Sequence, residues 1–259
     1  MFTHPGVRTV AALLALAAVV YLAACAGLFF FQRSLIYFPQ PSAFGHPASR
    51  MQLPVDGAQL QVAVRPHPGR KALIYFGGNA EDVSGSLPEL STAFPDRALF
   101  LMHYRGFGGS TGSPTEAALH QDALALYDKV HAAHPDVVVV GRSLGSGVAI
   151  RLASQRPVER LVLVTPYDSV QDIAAAQFRF FPVRWLLADK FESFRYAPRV
   201  SAPTIIIAAE HDEVIPRSST DLLHARFASG VAKFVVLPGT GHNTISDNPL
   251  YFEMLRGGA

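Results

Sequence analysis

Three side chains in this sequence have the types and the chain order that acyl transfer needs. Gly141-Arg142-Ser143-Leu144-Gly145 places a serine between glycines two positions away on either side, the spacing of a sharp strand-to-helix turn with no room for side chains beside its apex. A serine hydroxyl is a weak nucleophile and requires an adjacent base, itself held in one tautomer by a third group. Downstream, Glu210-His211-Asp212-Glu213 and then Gly239-Thr240-Gly241-His242-Asn243 supply an acid and a histidine in that order. Ser143 is therefore the candidate nucleophile, His242 the base and Asp212 the orienting acid. Glu210 and Glu213 flank Asp212, and Asp168 follows an earlier strand, so each is a further candidate for the acid's place.

A tetrahedral intermediate also needs hydrogen-bond donors aimed at its oxyanion. The backbone N–H of Leu144 opens the helix that follows the serine, and the loop Phe76-Gly77-Gly78-Asn79-Ala80 offers the N–H of Asn79 as the second. Such chemistry uses no metal and no organic cofactor. The nine other histidines have no metal-ligand spacing. A formal net charge of +2 without a basic block gives no reason to expect a nucleic-acid partner, and a single cysteine excludes an intramolecular disulfide.

The elements that must position these groups follow from hydrophobic patterning. Val137 to Val140, bounded by turn residues, reads as a strand buried on both faces of a parallel sheet. Ala72–Phe76, Ala98–Met102, Arg160–Val164, Thr204–Ala208 and Lys233–Leu237 read as further strands, with helices over 146–155, 218–227 and 249–255. Gln59 to Val64 alternates as an antiparallel edge strand would. Ser113-Pro114-Thr115-Glu116 reads as a capping box with proline at the first helical position, ahead of Leu119, Ala123, Leu126 and Val130 at helical spacing. This alternation predicts an α/β fold, a mostly parallel sheet with helices on both faces. The serine, acid and histidine all fall at C-terminal ends of strands, where open sheets of this kind place their sites.

Residues 167–199 are too many for a simple crossover and predict a short helical cap over the sheet edge. Phe178, Phe180, Phe181, Phe191, Phe194 and Trp185 lie in it, and ordinary cap packing is the favoured reading of them over substrate contact.

Thr9 to Phe31 carries no charged residue, and as a helix it would span roughly 35 Å, more than a bilayer core of about 30 Å. It predicts a single-pass N-terminal membrane anchor. Leu22-Ala23-Ala24-Cys25 also has the form of a lipobox, which would leave a lipoprotein acylated at Cys25. The apolar run continues past Cys25 to Phe31, as an uncleaved anchor requires. The expected organisation is a tail (1–8), an anchor or signal segment (9–31), a connector marked by Pro39, Pro41 and Pro47 (32–47), and a folded domain (48–259) that carries the cap.

Gly77-Gly78-Asn79-Ala80, Tyr104-Arg105-Gly106-Phe107-Gly108-Gly109-Ser110, Gly141 to Gly145 and His211-Asp212-Glu213-Val214-Ile215-Pro216 together resemble the membrane-anchored α/β-hydrolases of the bud-emergence type. That group is similar to the α/β-hydrolase-domain 13 and 17 proteins. The resemblance runs from about residue 32 to 242 and includes Phe181-Pro182-Val183-Arg184-Trp185; the Tyr-Arg-Gly-x-Gly stretch is its most specific part. It implies an α/β-hydrolase fold and serine-hydrolase activity on an acyl ester or thioester, acyl-proteins included. Two positions depart from the family pattern. Gly77 stands where a histidine is usual, altering the oxyanion loop, and His103 stands where an aspartate usually precedes Tyr-Arg-Gly. The expected function is a membrane-tethered serine hydrolase of esters or thioesters, with acyl or lipid-like substrates. A peptidase or amidase on the same triad, and a non-catalytic membrane-bound interaction protein, are the alternatives.

Overall fold

In the computed structural model, which describes residues 5–42 and 50–258, the apolar runs form β1 (Arg50–Val55), β2 (Ala58–Arg65), β3 (Lys71–Phe76), β4 (Ala98–Met102), β5 (Asp136–Arg142), β6 (Arg160–Val164), β7 (Thr204–Ala209) and β8 (Ala232–Leu237). They pair into one sheet in the order β1-β2-β4-β3-β5-β6-β7-β8. The β1–β2 and β2–β4 pairs are antiparallel and the others parallel. The strand predicted at the edge, β2, lies one place inside it. Its Leu60 and Val62 are fully buried, and β1 takes the edge instead. Only Leu53 of β1 is buried and Pro54 interrupts its donors, which a strand tolerates at a sheet edge.

Valines of β5 alternate between two cores. Val137 and Val139 pack with α3 (Glu116–Ala133) and α4 (Leu144–Ala153), while Val138 and Val140 pack with α2 (Leu87–Ala93) and α8 (Tyr251–Arg256). Two of the helix starts that differ from the sequence reading bear on the site. Thr115, not Ser113, caps α3: its backbone is extended and its hydroxyl accepts the Ala118 N–H at 3.1 Å. That leaves Glu116 at the first helical position, with its carboxylate free to accept the backbone N–H groups of Lys190 and Phe191. Helix α4 begins at Leu144 rather than Ser146, because the turn at Ser143 feeds directly into it.

Residues 170–199 form the cap, with α5 (Val170–Gln177), α6 (Val183–Leu186) and two single 3-10 turns over 193–195 and 197–199. Its aromatics divide by environment. Phe191 is core, Phe178 and Phe181 border a cavity, and Phe180 and Trp185 are exposed. Cap packing therefore accounts for only part of them. Between β7 and β8 lies α7 (Arg217–His224).

The N-terminal helix α1 (Pro5–Ile36) continues five residues beyond Phe31. Among the described residues it is the one helix long and apolar enough to cross a membrane. Cys25 lies within it and is buried. Pro47 and the boundary near residue 48 lie outside the described residues.

Candidate active site

Ser143 sits at the junction of β5 and α4 with φ 49° and ψ −119°, a left-handed conformation that costs a non-glycine residue about 1–3 kcal/mol. The surroundings hold it there. Its N–H donates to the Val164 carbonyl at 2.9 Å, and its own carbonyl accepts the Ser146 hydroxyl at 2.7 Å. Both flanking glycines are required by contact. A Cβ on Gly141 would lie 2.5 Å from the Gly145 carbonyl oxygen and 2.7 Å from the Ala149 Cβ, and one on Gly145 would overlap the Phe76 carbonyl.

The structure brings Ser143, His242 and Asp212 together. Nε2 of His242 lies 3.0 Å from the Ser143 Oγ, and Nδ1 lies 2.9 and 3.0 Å from the two Asp212 oxygens. An ionised carboxylate only accepts, so Nδ1 carries the proton and Nε2 is left to accept the serine hydroxyl. Asp212 is fixed in turn by the N–H groups of Val214 and Ile215, which donate to Oδ1 at 3.0 and 2.7 Å. All three side chains are nearly buried.

The neighbouring acids take other places. Glu213 accepts the backbone N–H of His242 at 3.0 Å, and that bond holds its carboxyl below the usual range. Glu210 accepts the Gly239 N–H at 2.8 Å. Both therefore shape the loop around the histidine without touching its ring. Asp168 faces Arg226 at 3.6 Å, and burial pushes its carboxyl up despite that cation.

On the other side of the serine, the loop after β3 is tied from beneath. The Tyr104 hydroxyl donates to the Gly77 carbonyl at 2.9 Å, and Glu81 accepts the Gly78 N–H at 2.8 Å through one oxygen and the Tyr75 and Ser86 hydroxyls through the other. Burial raises the Tyr104 phenol well above its ordinary value, so it stays a donor. Asn79 borders the same cavity as Ser143 and Leu144. The Leu144 N–H is at the first position of α4, where helical N–H groups lack intrahelical partners. Tyr104 and Glu81 were given no role from sequence, and Glu213, a candidate for the acid there, instead ties the histidine loop. The available signal was local: a glutamate three residues after Gly78, and a tyrosine opening the most specific motif.

The cavity has a volume of about 260 Å³ and an apolar lining that includes Val170, Ile173, Phe178 and Phe181 of the cap and Leu28 and Leu35 of α1. Among the described residues no group of three or more His, Cys, Asp or Glu side chains could hold a metal.

Residues 67–201 match the model of the alpha/beta hydrolase family. The chain belongs to the alpha/beta hydrolases. It is 36% identical over 231 residues to an uncharacterized protein of Mycobacterium tuberculosis, covering 82% of this chain and 80% of that one. Protein bem46 of Schizosaccharomyces pombe is 27% identical over 269 residues, covering 91% and 88%. The lysophosphatidylserine lipase ABHD12 of Xenopus tropicalis is 34% identical over 133 residues, 44% of this chain and 34% of that protein. Among solved structures, an esterase of Pyrococcus furiosus superposes with a TM-score of 0.67 at 16% identity, covering 86% of this chain and 96% of that one. That likeness is one of fold.

Within this hydrolase the Tyr-Arg-Gly-x-Gly-Gly stretch acts as a brace. Arg105 makes a bidentate pair with the buried Asp122 of α3 at 2.8 and 2.7 Å and donates to the Asp56 carbonyl. His103 is buried, its ring lies where a Cβ on Gly108 would fall, and Gly108 itself has φ +58°. Burial lowers the His103 pKa, partly offset by Asp82 at 3.9 Å. A neutral imidazole thus fills the place where the resemblance leads one to expect an aspartate.

Proposed function

We propose that this alpha/beta hydrolase is a membrane-tethered serine hydrolase that cleaves carboxylic ester or thioester bonds of acyl-chain substrates. Ser143 attacks the acyl carbonyl, His242 takes the hydroxyl proton and returns it to the leaving group, and Asp212 orients the imidazole and stabilises its charged form. The backbone N–H groups of Asn79 and Leu144 stabilise the oxyanion. Water, deprotonated by His242, then releases the acid from Ser143. The reading is carried by one observation: a strained serine within 3.0 Å of an aspartate-paired histidine, opening into an apolar cavity.

The apolar lining favours acyl chains over peptides, whose polar backbone would need partners that a wall of Val, Ile, Leu and Phe lacks. A lipid-like ester is in keeping with the lipase named among the relatives. Helix α1, apolar and 32 residues long, is the tether. Ser143→Ala should abolish hydrolysis of a p-nitrophenyl ester, and full activity in that variant would refute the assignment. An aminoacyl-arylamide panel separates esterase from amidase. An intact mass beginning at a diacylated Cys25 would replace the helical tether with a lipid one.

A further inference from the structure

Helix α1 is built into the site that it tethers. Gln32 donates to the Leu186 carbonyl at 3.1 Å and accepts the Ala188 N–H at 2.6 Å. Arg33 pairs with the buried Asp189 at 3.1 Å, which also accepts the Tyr37 hydroxyl. Burial, reinforced by Asp189, pushes that phenol well up, so it remains a donor. At the end of the helix the Asn79 side-chain amide donates to the Ile36 carbonyl at 2.8 Å, and just past it the Phe38 N–H donates to the Asn79 carbonyl at 2.9 Å. Higher up, the Tyr21 hydroxyl donates to the Phe180 carbonyl at 2.9 Å and its ring stacks on Phe181. Leu28, Leu35 and Ile36 form one wall of the Ser143 cavity, and the cap forms the opposite one.

Depth follows from length. At 1.5 Å per residue the 32 residues of α1 extend about 48 Å, more than a hydrocarbon core of about 30 Å, which takes roughly 20 residues. With Arg8 at the far interface, α1 leaves the hydrocarbon near Leu28. Tyr21 is then seven residues inside, roughly 10 Å deep, so the Phe180–Phe181 end of the cap segment bonded to it lies at that level, while the Leu186 end, bonded to Gln32, lies at the interface. Phe180 is 81% exposed and Trp185 89% exposed on this segment, beside the uncovered apolar face of α1. Interfacial elements bury their apolar faces by about 5–10 Å, the same depth.

We propose that α1 and the cap segment 178–187 form one lipid-facing unit sunk into a leaflet, and that the Ser143 cavity, walled by both, draws an acyl chain directly from that leaflet. This rests on Ser143 being the nucleophile. The apolar lining of that cavity, with Val170, Ile173, Phe178 and Phe181 from the cap and Leu28 and Leu35 from α1, suits an acyl chain, and membrane-resident acyl esters are the substrate class.

Trp185 is the only tryptophan in the chain, so its fluorescence reports the depth without a mutation. The full chain in phosphatidylcholine vesicles should show Trp185 emission quenched at least twofold by phosphatidylcholine brominated at carbons 6 and 7, and little by aqueous iodide. Quenching by iodide with none from the brominated lipid would overturn the proposal. Ser143→Ala must give the same quenching, which separates this test from that of the nucleophile. Phe180→Asp lies outside the cavity and should keep p-nitrophenyl butyrate turnover within twofold while losing at least tenfold on 4-methylumbelliferyl palmitate held in the vesicles. Equal effects on the two esters would also overturn it.

Discussion

Tyr104→Phe removes one hydroxyl and tests how the oxyanion loop is held. In the native chain that hydroxyl donates to the Gly77 carbonyl at 2.9 Å from a side chain 2% exposed, two residues before Asn79. The substitution leaves a buried carbonyl unsatisfied, which costs about 1–3 kcal/mol. For a domain of this size each kcal/mol shifts the melting temperature by roughly 2–4 °C, so a fall of about 2–12 °C is expected. The kinetic effect has a bound, because complete loss of one oxyanion donor costs about 10²–10³ in kcat. A loop that is loosened rather than removed should lose about tenfold, equivalent to about 1.4 kcal/mol. KM should stay within twofold, since the cavity walls are unchanged. The assay is steady-state hydrolysis of a p-nitrophenyl ester beside a thermal melt of the same preparation. A lower melting temperature with kcat unchanged would refute the reasoning, because Tyr104 would then stabilise the fold without positioning the loop.

Other expectations follow from the same geometry. Asp212→Asn should lower kcat by about 10⁴, since an amide no longer selects the tautomer that leaves Nε2 free; a loss under tenfold, measured on the same ester, would return Glu210 or Glu213 to consideration. Gly145→Ala forces a Cβ into the Phe76 carbonyl and should destabilise by at least the roughly 1–3 kcal/mol of an overpacked core, read by denaturant unfolding. Glu116 is desolvated, yet its bonds with His120, Phe191 and Lys190 outweigh that and hold its carboxyl below 4.5. A depressed folded pKa contributes stability that is present above the unfolded value and lost as pH falls through the folded one. Acid unfolding should therefore steepen below pH 4.5 in the native chain and be flatter in Glu116→Gln.

The strands legible in the sequence were those buried on both faces. Val137 to Val140 and Thr204 to Ala208 are unbroken β-branched or apolar runs, and nothing competes with that reading. β1 was not legible because an edge strand buries little, and its pattern carries a proline and one buried leucine. The serine and histidine stood out because glycines surround them, and those glycines mark positions where a Cβ has no room or a turn requires freedom. The acid was harder. Glu210, Asp212 and Glu213 are near neighbours on one loop, and only the way the loop turns decides which one meets the imidazole and which one takes a backbone N–H. The docking of α1 on the cap had no sequence signal. Gln32 and Leu186 are 154 residues apart, and a contact across that distance leaves no periodicity in either segment.

The most direct test of the central claim is peptide mapping after the full chain reacts with a fluorophosphonate. One adduct is expected, on the Ser143 hydroxyl, formed in the native chain and lost or strongly slowed in His242→Ala. Failure to react at Ser143 in a folded native protein, or labelling that is equally fast without His242, would contradict it.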